Sequence, residues 1–145
     1  MRGTFQLGLR WLHFLGVVTW LGGTIFIATV LVPLARTLGE PARRNMVREA
    51  GRRFRLVGWI GLSLVLLSGT GNLVLSPSLL SHALFQVKLA LVAVILALSA
   101  IHDFVLGPRA NLAPDPSLRV RASRVARAAL FLGLVVVLLG LALRG

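Results

Sequence analysis

The chain alternates between long apolar stretches and short polar connections. Four stretches approach the length of about 20 residues that an α-helix needs to cross a bilayer. They cover residues 11–34, 56–75, 84–102 and 128–143. Because 57% of the 145 residues are hydrophobic and 14% are charged, a water-soluble domain of this size would expose too much apolar surface. The pattern therefore predicts an all-α integral membrane protein, one transmembrane domain over residues 1–145 folded as an up-down bundle of four helices.

The polar segment before the second apolar stretch is itself predicted to be helical. Pro41 suits the first turn of a helix, so α-helix is expected from about that residue onward. Glu40 and Glu49 each have an arginine four residues later, Arg44 and Arg53, a spacing that favours ion pairs along one helix face. The second helix is therefore expected to extend beyond its apolar part.

The other two connections carry residues that stop helices. Ser76-Pro77-Ser78 predicts a short turn before the third helix, and Gly107-Pro108 and Ala113-Pro114-Asp115-Pro116 predict breaks in the third connection. Pro116 is then expected to lead into the fourth helix. No long internal repeat, nucleotide-binding glycine motif or zinc-spaced cluster stands out, and cysteine is absent, which excludes disulfides and thiolate metal sites.

The net charge of +12 is concentrated in two of the connections. The first and third connections hold twelve arginines: Arg36, Arg43, Arg44, Arg48, Arg52, Arg53, Arg55, Arg109, Arg119, Arg121, Arg124 and Arg127. By the positive-inside rule both connections are predicted to be cytoplasmic, with both termini outside, in a bacterial-type inner membrane. The arginines are expected to attract anionic lipid headgroups, and their distribution argues against a nucleic-acid partner.

Three polar residues near the outer ends of the predicted spans are candidates for a site. His13 and Lys88 lie at similar predicted depths in the first and third spans, so they can meet across the bundle, and His82 lies in the outer turn. His102 lies fourteen residues beyond Lys88, about 21 Å deeper at 1.5 Å per residue, beside Asp103. It is expected to stabilise the cytoplasmic end of the third helix.

These residue types suit a metal centre, with a simpler alternative. Imidazole is the commonest metal ligand, and a haem iron in a helical bundle needs a histidine with a varied second ligand. His13 with Lys88, or His13 with His82, would supply such a pair. In the alternative, His13 and Lys88 reach for water at the membrane interface.

A polar side chain and a pair of glycines are candidate neighbours of such a centre. Asn72 is costly at membrane depth and is expected to face the interior near the candidate site. Gly16 and Gly23, seven residues apart, share one face of the first helix. They predict either close helix packing or a smooth wall for a flat ligand such as a porphyrin.

Three segments carry a family resemblance: WLHFLGVVTWLGG, GRRFRLVGWIGLSLVLLSGTGNLVL and FQVKLALVAVILALSAIH. Together they resemble the membrane domain of CopD-like copper-resistance proteins and of HemJ-type protoporphyrinogen oxidases. The resemblance to the HemJ type implies that the protein binds haem b. It also implies that His13 and Lys88 have roles in haem binding or activity, and that His102 corresponds to the histidine that closes the third helix in that family.

The leading hypothesis is a membrane protein that binds haem b and acts in electron transfer or in oxidation of a small hydrophobic reductant such as quinol or porphyrinogen. The first alternative is a CopD-like protein that handles copper through His13, His82 and the N-terminal amine. The second is a structural subunit without a cofactor. A homodimer is an open alternative for the oligomeric state.

Overall fold

The structure, a computed structural model, describes residues 2–112 and 115–143, which fold into four long helices joined by short connections. α1 runs without a break over residues 2–35, with π-helical turns at Val18–Gly22 and Ile27–Leu31. α2 is Glu40–Leu75, and the 3₁₀ turn Pro77–Ser81 follows it. α3 covers residues 83–112, with a π-helical segment at Ile101–Leu106, and α4 is Pro116–Ala142. These described ranges contain no strand.

All four helices are long and apolar enough to cross a membrane, which confirms the predicted fold class. Large apolar side chains lie mainly on the outside: Leu67 and Val74, for example, each expose 73% of their surface. Such exposure would be unfavourable in water but matches the apolar environment of lipid tails. The chain is a multi-pass membrane protein.

The polar segment before the second span is helical, as predicted. α2 begins at Glu40 with Pro41 in its first turn, and its 36 residues correspond to about 54 Å at 1.5 Å per residue. Arg44 Nε lies 3.3 Å from Glu40 Oε2, and Arg53 Nε lies 2.7 Å from Glu49 Oε1. The helix is therefore longer than the thickness of the hydrocarbon core, and the arginines of this segment lie on the part of it before the apolar span.

The expectation of a break at Gly107-Pro108 is wrong, because α3 continues through these residues to Leu112. The predicted break at Ala113-Pro114 lies outside the described residues. An internal proline has no N–H to donate and crowds the carbonyl one turn earlier. Here the wider π-helical turn Ile101–Leu106 ends two residues before Pro108, and Gly107 N–H donates to the carbonyl of His102. Pro33 follows the π-helical turn Ile27–Leu31 of α1 at the same spacing. Such turns re-position the backbone around a proline, so the helix is not interrupted.

The fourth helix begins at Pro116, as predicted, and is capped by the residue before it. The Asp115 carboxylate accepts hydrogen bonds from Ser117 N–H at 2.7 Å and from Ser117 Oγ at 3.0 Å. These bonds stabilise the charged form and hold the pKa of Asp115 below its ordinary value. A charged cap at this end also matches the positive end of the helix dipole.

The described chain divides into two compact units, Met1–Pro77 and Ser78–Gly145. The first unit is an antiparallel hairpin of α1 and α2. Its contacts run in opposite directions along the two helices: Leu9 meets Gly71, Gly16 meets Gly61, and Gly23 meets Phe54. The second unit is the hairpin of α3 and α4.

Candidate metal-binding site

His13 is held against α2 inside the first unit. Its Nδ1 lies 3.0 Å from the carbonyl oxygen of Val65 and 3.1 Å from Ser68 Oγ. The side chain is half-buried, and Ser68 is 3% exposed. The predicted site residue therefore turns toward the neighbouring helix and makes specific hydrogen bonds there.

These contacts decide which ring nitrogen of His13 carries the proton. The Val65 carbonyl can only accept, so Nδ1 must be the protonated nitrogen for this hydrogen bond to exist. Ser68 donates its own hydroxyl hydrogen to the carbonyl of Leu64, so it presents a lone pair to Nδ1. In the neutral imidazole the remaining lone pair is then on Nε2, the atom that can ligate a metal. Donation from the other ring nitrogen to a carbonyl is typical of metal-binding histidines.

Small residues make room for the imidazole on α2. A Cβ added to Gly69 would lie 3.4 Å from His13 Cε1, at the limit of a comfortable contact. Two residues further along α2, a Cβ added to Gly71 would lie 3.0 Å from Leu9 Cδ1, and Leu9 is one turn before His13. Glycines at both levels allow the two helices to approach closely around the histidine.

Asn72 lies on the same face of α2, one turn beyond Ser68. Its side-chain oxygen Oδ1 is buried and has no hydrogen-bond partner within the part of the chain that the structure describes. A buried amide oxygen without a partner costs free energy, typically about 1–3 kcal/mol. The atom is therefore a candidate acceptor or hard ligand near the histidine.

The two predicted wall glycines of α1 lie in helix contacts. A Cβ on Gly16 would lie 2.6 Å from the carbonyl oxygen of Gly61, and a Cβ on Gly23 would lie 2.1 Å from a ring carbon of Phe54. These positions agree with close helix packing. Their role as a wall for a flat ligand stays a prediction.

Lys88 lies in the second unit, and its side chain reaches α4. A Cβ added to Gly140 would lie 3.3 Å from Lys88 Nζ, and the lysine is half-buried. The ammonium thus lies beside a glycine of the partner helix within its own hairpin. A direct pairing of Lys88 with His13 stays a prediction.

His82 stands at the start of α3, where its backbone is extended and its side chain is exposed. Gln86, one turn into the helix, donates from Nε2 to the carbonyl of Leu80 at 2.9 Å. This bond ties the first turn of α3 to the preceding 3₁₀ turn. A ligand role for His82 remains a prediction.

The expectation that His102 stabilises the end of the third helix is corrected by the structure. α3 continues for ten residues beyond it, and His102 lies in the π-helical segment Ile101–Leu106. Its Nδ1 lies 2.8 Å from Asp103 Oδ1, with the two side chains 37% and 23% exposed. The pair is a local histidine–carboxylate contact in mid-helix.

Sequence reasoning identified His13 but missed the residues that orient it. A backbone carbonyl such as that of Val65 leaves no signal in a sequence. Ser68 is one of several hydroxyl residues in the apolar stretches and does not stand out from them, although its spacing of four residues from Asn72 places both on one helix face. Across residues 2–112 and 115–143, no three His, Cys, Asp or Glu side chains come close enough to hold a metal ion together.

Comparison with known proteins adds a family relationship. The profile of the family CopD, described as Copper resistance protein D, matches residues 48–143. An uncharacterized protein of Aquifex aeolicus (strain VF5) is 30% identical over 135 residues, covering 92% of this chain and 91% of that protein. No solved structure matches the chain.

Proposed function

The chain belongs to the copper resistance protein D family, and on that premise we propose that it handles copper in the membrane, with His13 Nε2 as a ligand. The observation that carries the proposal is the pair of acceptor oxygens on His13 Nδ1, which directs the lone pair to Nε2. Copper is the cargo in this proposal.

The donor atoms of the chain favour nitrogen and oxygen ligation. Imidazole suits copper, whereas thiolate and thioether ligands are the ones that select Cu(I). The sequence has no cysteine, and its two methionines are Met1 and Met46. His82 and the N-terminal amine are further candidate ligands, and we expect Cu(II) to be bound more readily than Cu(I).

The decisive experiment separates the ligand nitrogen from the hydrogen bond. In His13→Asn the side-chain amide can still donate to Val65 from the place of Nδ1, but it offers nothing at the place of Nε2. We expect the purified variant in detergent to lose the copper that the natural chain retains in dialysis against Cu²⁺, while its thermal unfolding midpoint changes little.

His102→Asn is the matched control, because it removes an imidazole that also has an acceptor at Nδ1. It should retain copper as the natural chain does. Full copper retention by His13→Asn would overturn the assignment of His13. His82→Ala in the same assay measures any contribution from the histidine of the outer turn.

A second candidate function is that of a haem b protein with a redox role. It is favoured by the small number of protein ligands that haem requires. A porphyrin brings four nitrogens of its own, so one imidazole suffices to hold the iron, whereas a bare copper ion needs several protein ligands. The part of the chain described here offers no cluster of three such side chains. The residues fit haem to the extent of one axial ligand, His13, with Lys88 as the predicted second ligand or propionate partner. Bound haem would supply one-electron chemistry.

One absorption spectrum distinguishes the two candidates. The protein purified from haem-replete cells would show a Soret band, and on reduction an α-band, if it carries haem b. His13→Asn should then lose the band and His102→Asn should keep it. A colourless preparation that retains copper through His13 would support copper handling and remove the haem alternative.

A further inference from the structure

The two units repeat the same order of local features. In each, a first helix contains a π-helical segment followed two residues later by a proline, and an acidic residue followed by proline stands at the start of the second helix, as its first residue Glu40 in one unit and as the cap Asp115 in the other. The matching residues lie 75 positions apart. They are Pro33 and Pro108, Glu40 and Asp115, Pro41 and Pro116, Arg44 and Arg119, Arg52 and Arg127, and Gly58 and Gly133.

The contact between the helices of each hairpin follows the same spacing. In the first unit His13 lies against Val65, and in the second Lys88 lies against Gly140. Lys88 is 75 positions after His13, and Gly140 is 75 positions after Val65. The prolines, the acidic residues at the helix starts and one contact between a side chain and the partner helix therefore share one register without insertion or deletion.

We propose that the chain consists of two copies of one helical hairpin and that Lys88 occupies in the second copy the ligand position that His13 occupies in the first. A repeat built from apolar residues is hard to see in the sequence, because Leu, Val, Ile and Ala replace one another freely on lipid-facing surfaces. The repeat is visible instead in the prolines, in the acidic residues at the helix starts and in the shared contact.

The proposal has a chemical consequence for the second hairpin. The carbonyl of Gly140 is the counterpart of the Val65 carbonyl that receives the His13 proton, and a backbone carbonyl does not depend on the side chain. An imidazole at position 88 would therefore find an acceptor for Nδ1 and present Nε2 as a metal ligand. This imidazole would have one hydrogen-bond acceptor fewer at Nδ1 than His13 has, because Leu143 stands where the first copy has Ser68.

A rescue experiment tests whether position 88 is equivalent to position 13. This experiment rests on the proposed function of His13 as a copper ligand. Starting from the full chain with His13→Asn, we add Lys88→His and measure Cu²⁺ bound in equilibrium dialysis. We expect binding to return, with an affinity weaker than that of the natural chain by about tenfold, because one of the two acceptors is missing.

Val87→His in the same His13→Asn background is the matched control, because it places an imidazole one residue away on a different face of α3. It should not restore binding. Equal rescue by both histidines, or rescue by neither when the natural chain binds copper through His13, would overturn the equivalence of positions 13 and 88.

A second arm tests the repeat even if the natural chain binds no copper. The contact of Gly23 with Phe54 predicts its counterpart 75 positions later, Leu98 with Ala129. Because the chain has no cysteine, Leu98→Cys with Ala129→Cys should react efficiently with a short bifunctional thiol reagent.

The off-register control pairs Leu98→Cys with Ala122→Cys. Ala122 and Ala129 are both buried on α4, but they lie about 10 Å apart along the helix axis at 1.5 Å per residue. Cross-linking of the predicted pair alone supports the repeat. Preferential cross-linking of the off-register pair would overturn it, whatever the copper measurement gives.

Discussion

The proton of His13 is placed by two oxygen atoms of the neighbouring helix. The Val65 carbonyl and Ser68 Oγ both accept from Nδ1, at 3.0 and 3.1 Å. Such outer partners orient a ligating ring and raise the basicity of its other nitrogen. The proposed affinity for a metal therefore depends on residues that would never contact the metal themselves.

Ser68→Ala should weaken metal binding without abolishing it. The substitution removes one of the two acceptors of the Nδ1 proton, while the Val65 carbonyl remains. We expect the affinity for Cu²⁺ to fall by about tenfold, the lower end of the usual effect of such partners. Equilibrium dialysis measures this change.

Ser63→Ala is the appropriate control for that substitution, since Ser63 is exposed on the same helix, away from the histidine. Its affinity should match that of the natural chain. An unchanged affinity in Ser68→Ala would mean that Ser68 does not support the histidine.

At the scale of helices, the first unit is held together where glycines allow the backbones to touch. The carbonyl oxygen of Gly61 lies 2.6 Å from the place of a Cβ on Gly16, and the carbonyl of Gly16 lies 3.0 Å from the place of a Cβ on Gly61. Within lipid there is little hydrophobic drive to bring helices together, so close van der Waals packing carries the association. The same crossing brings His13 to Val65 and Ser68.

Gly16→Ala should destabilise the hairpin, because the added Cβ meets backbone atoms that cannot rotate away. The cost of such overpacking is about 2 kcal/mol. The measurement is the loss of helical structure with increasing sodium dodecyl sulfate. Gly22→Ala adds a methyl group where nothing lies within 4 Å, so it should unfold as the natural chain does or slightly later.

Gly23→Ala provides a graded comparison within the same helix. Its added Cβ would meet the ring of Phe54, which is a side chain and can turn aside. The destabilisation should therefore be smaller than that of Gly16→Ala. If all three glycine variants behaved alike, the close crossing at Gly16 would not be a stabilising contact.

At the scale of the whole molecule, the distribution of arginine predicts the orientation in the membrane. Most of the basic residues lie in or just before the first halves of α2 and α4. The positive-inside rule predicts that these segments lie in the cytoplasm and that the turn Pro77–Ser81 lies outside. Juxtamembrane arginines at the inner surface would also attract anionic lipids.

Single introduced cysteines can test this orientation, because the natural chain has none. Ser78→Cys in the outer turn should react with a membrane-impermeant maleimide added to intact cells. Ala42→Cys, in the basic start of α2, should react only after the membrane is permeabilised. The opposite pattern would reverse the predicted topology.

Long apolar stretches separated by polar connections determined the number and type of helices, because a bilayer leaves few alternatives for a chain that must satisfy every backbone group. His13 also stood out in the sequence, since placing an imidazole at membrane depth costs free energy and such residues usually have a functional or structural role. Its partners Val65 and Ser68 did not, because which residues meet across two helices depends on where the glycines let them cross. The continuation of α3 through Pro108 was likewise decided by three-dimensional structure, since the π-helical turn before it re-positions the backbone around that proline. The sequence thus determined which segments are helical, and tertiary packing decided which atoms of those helices meet.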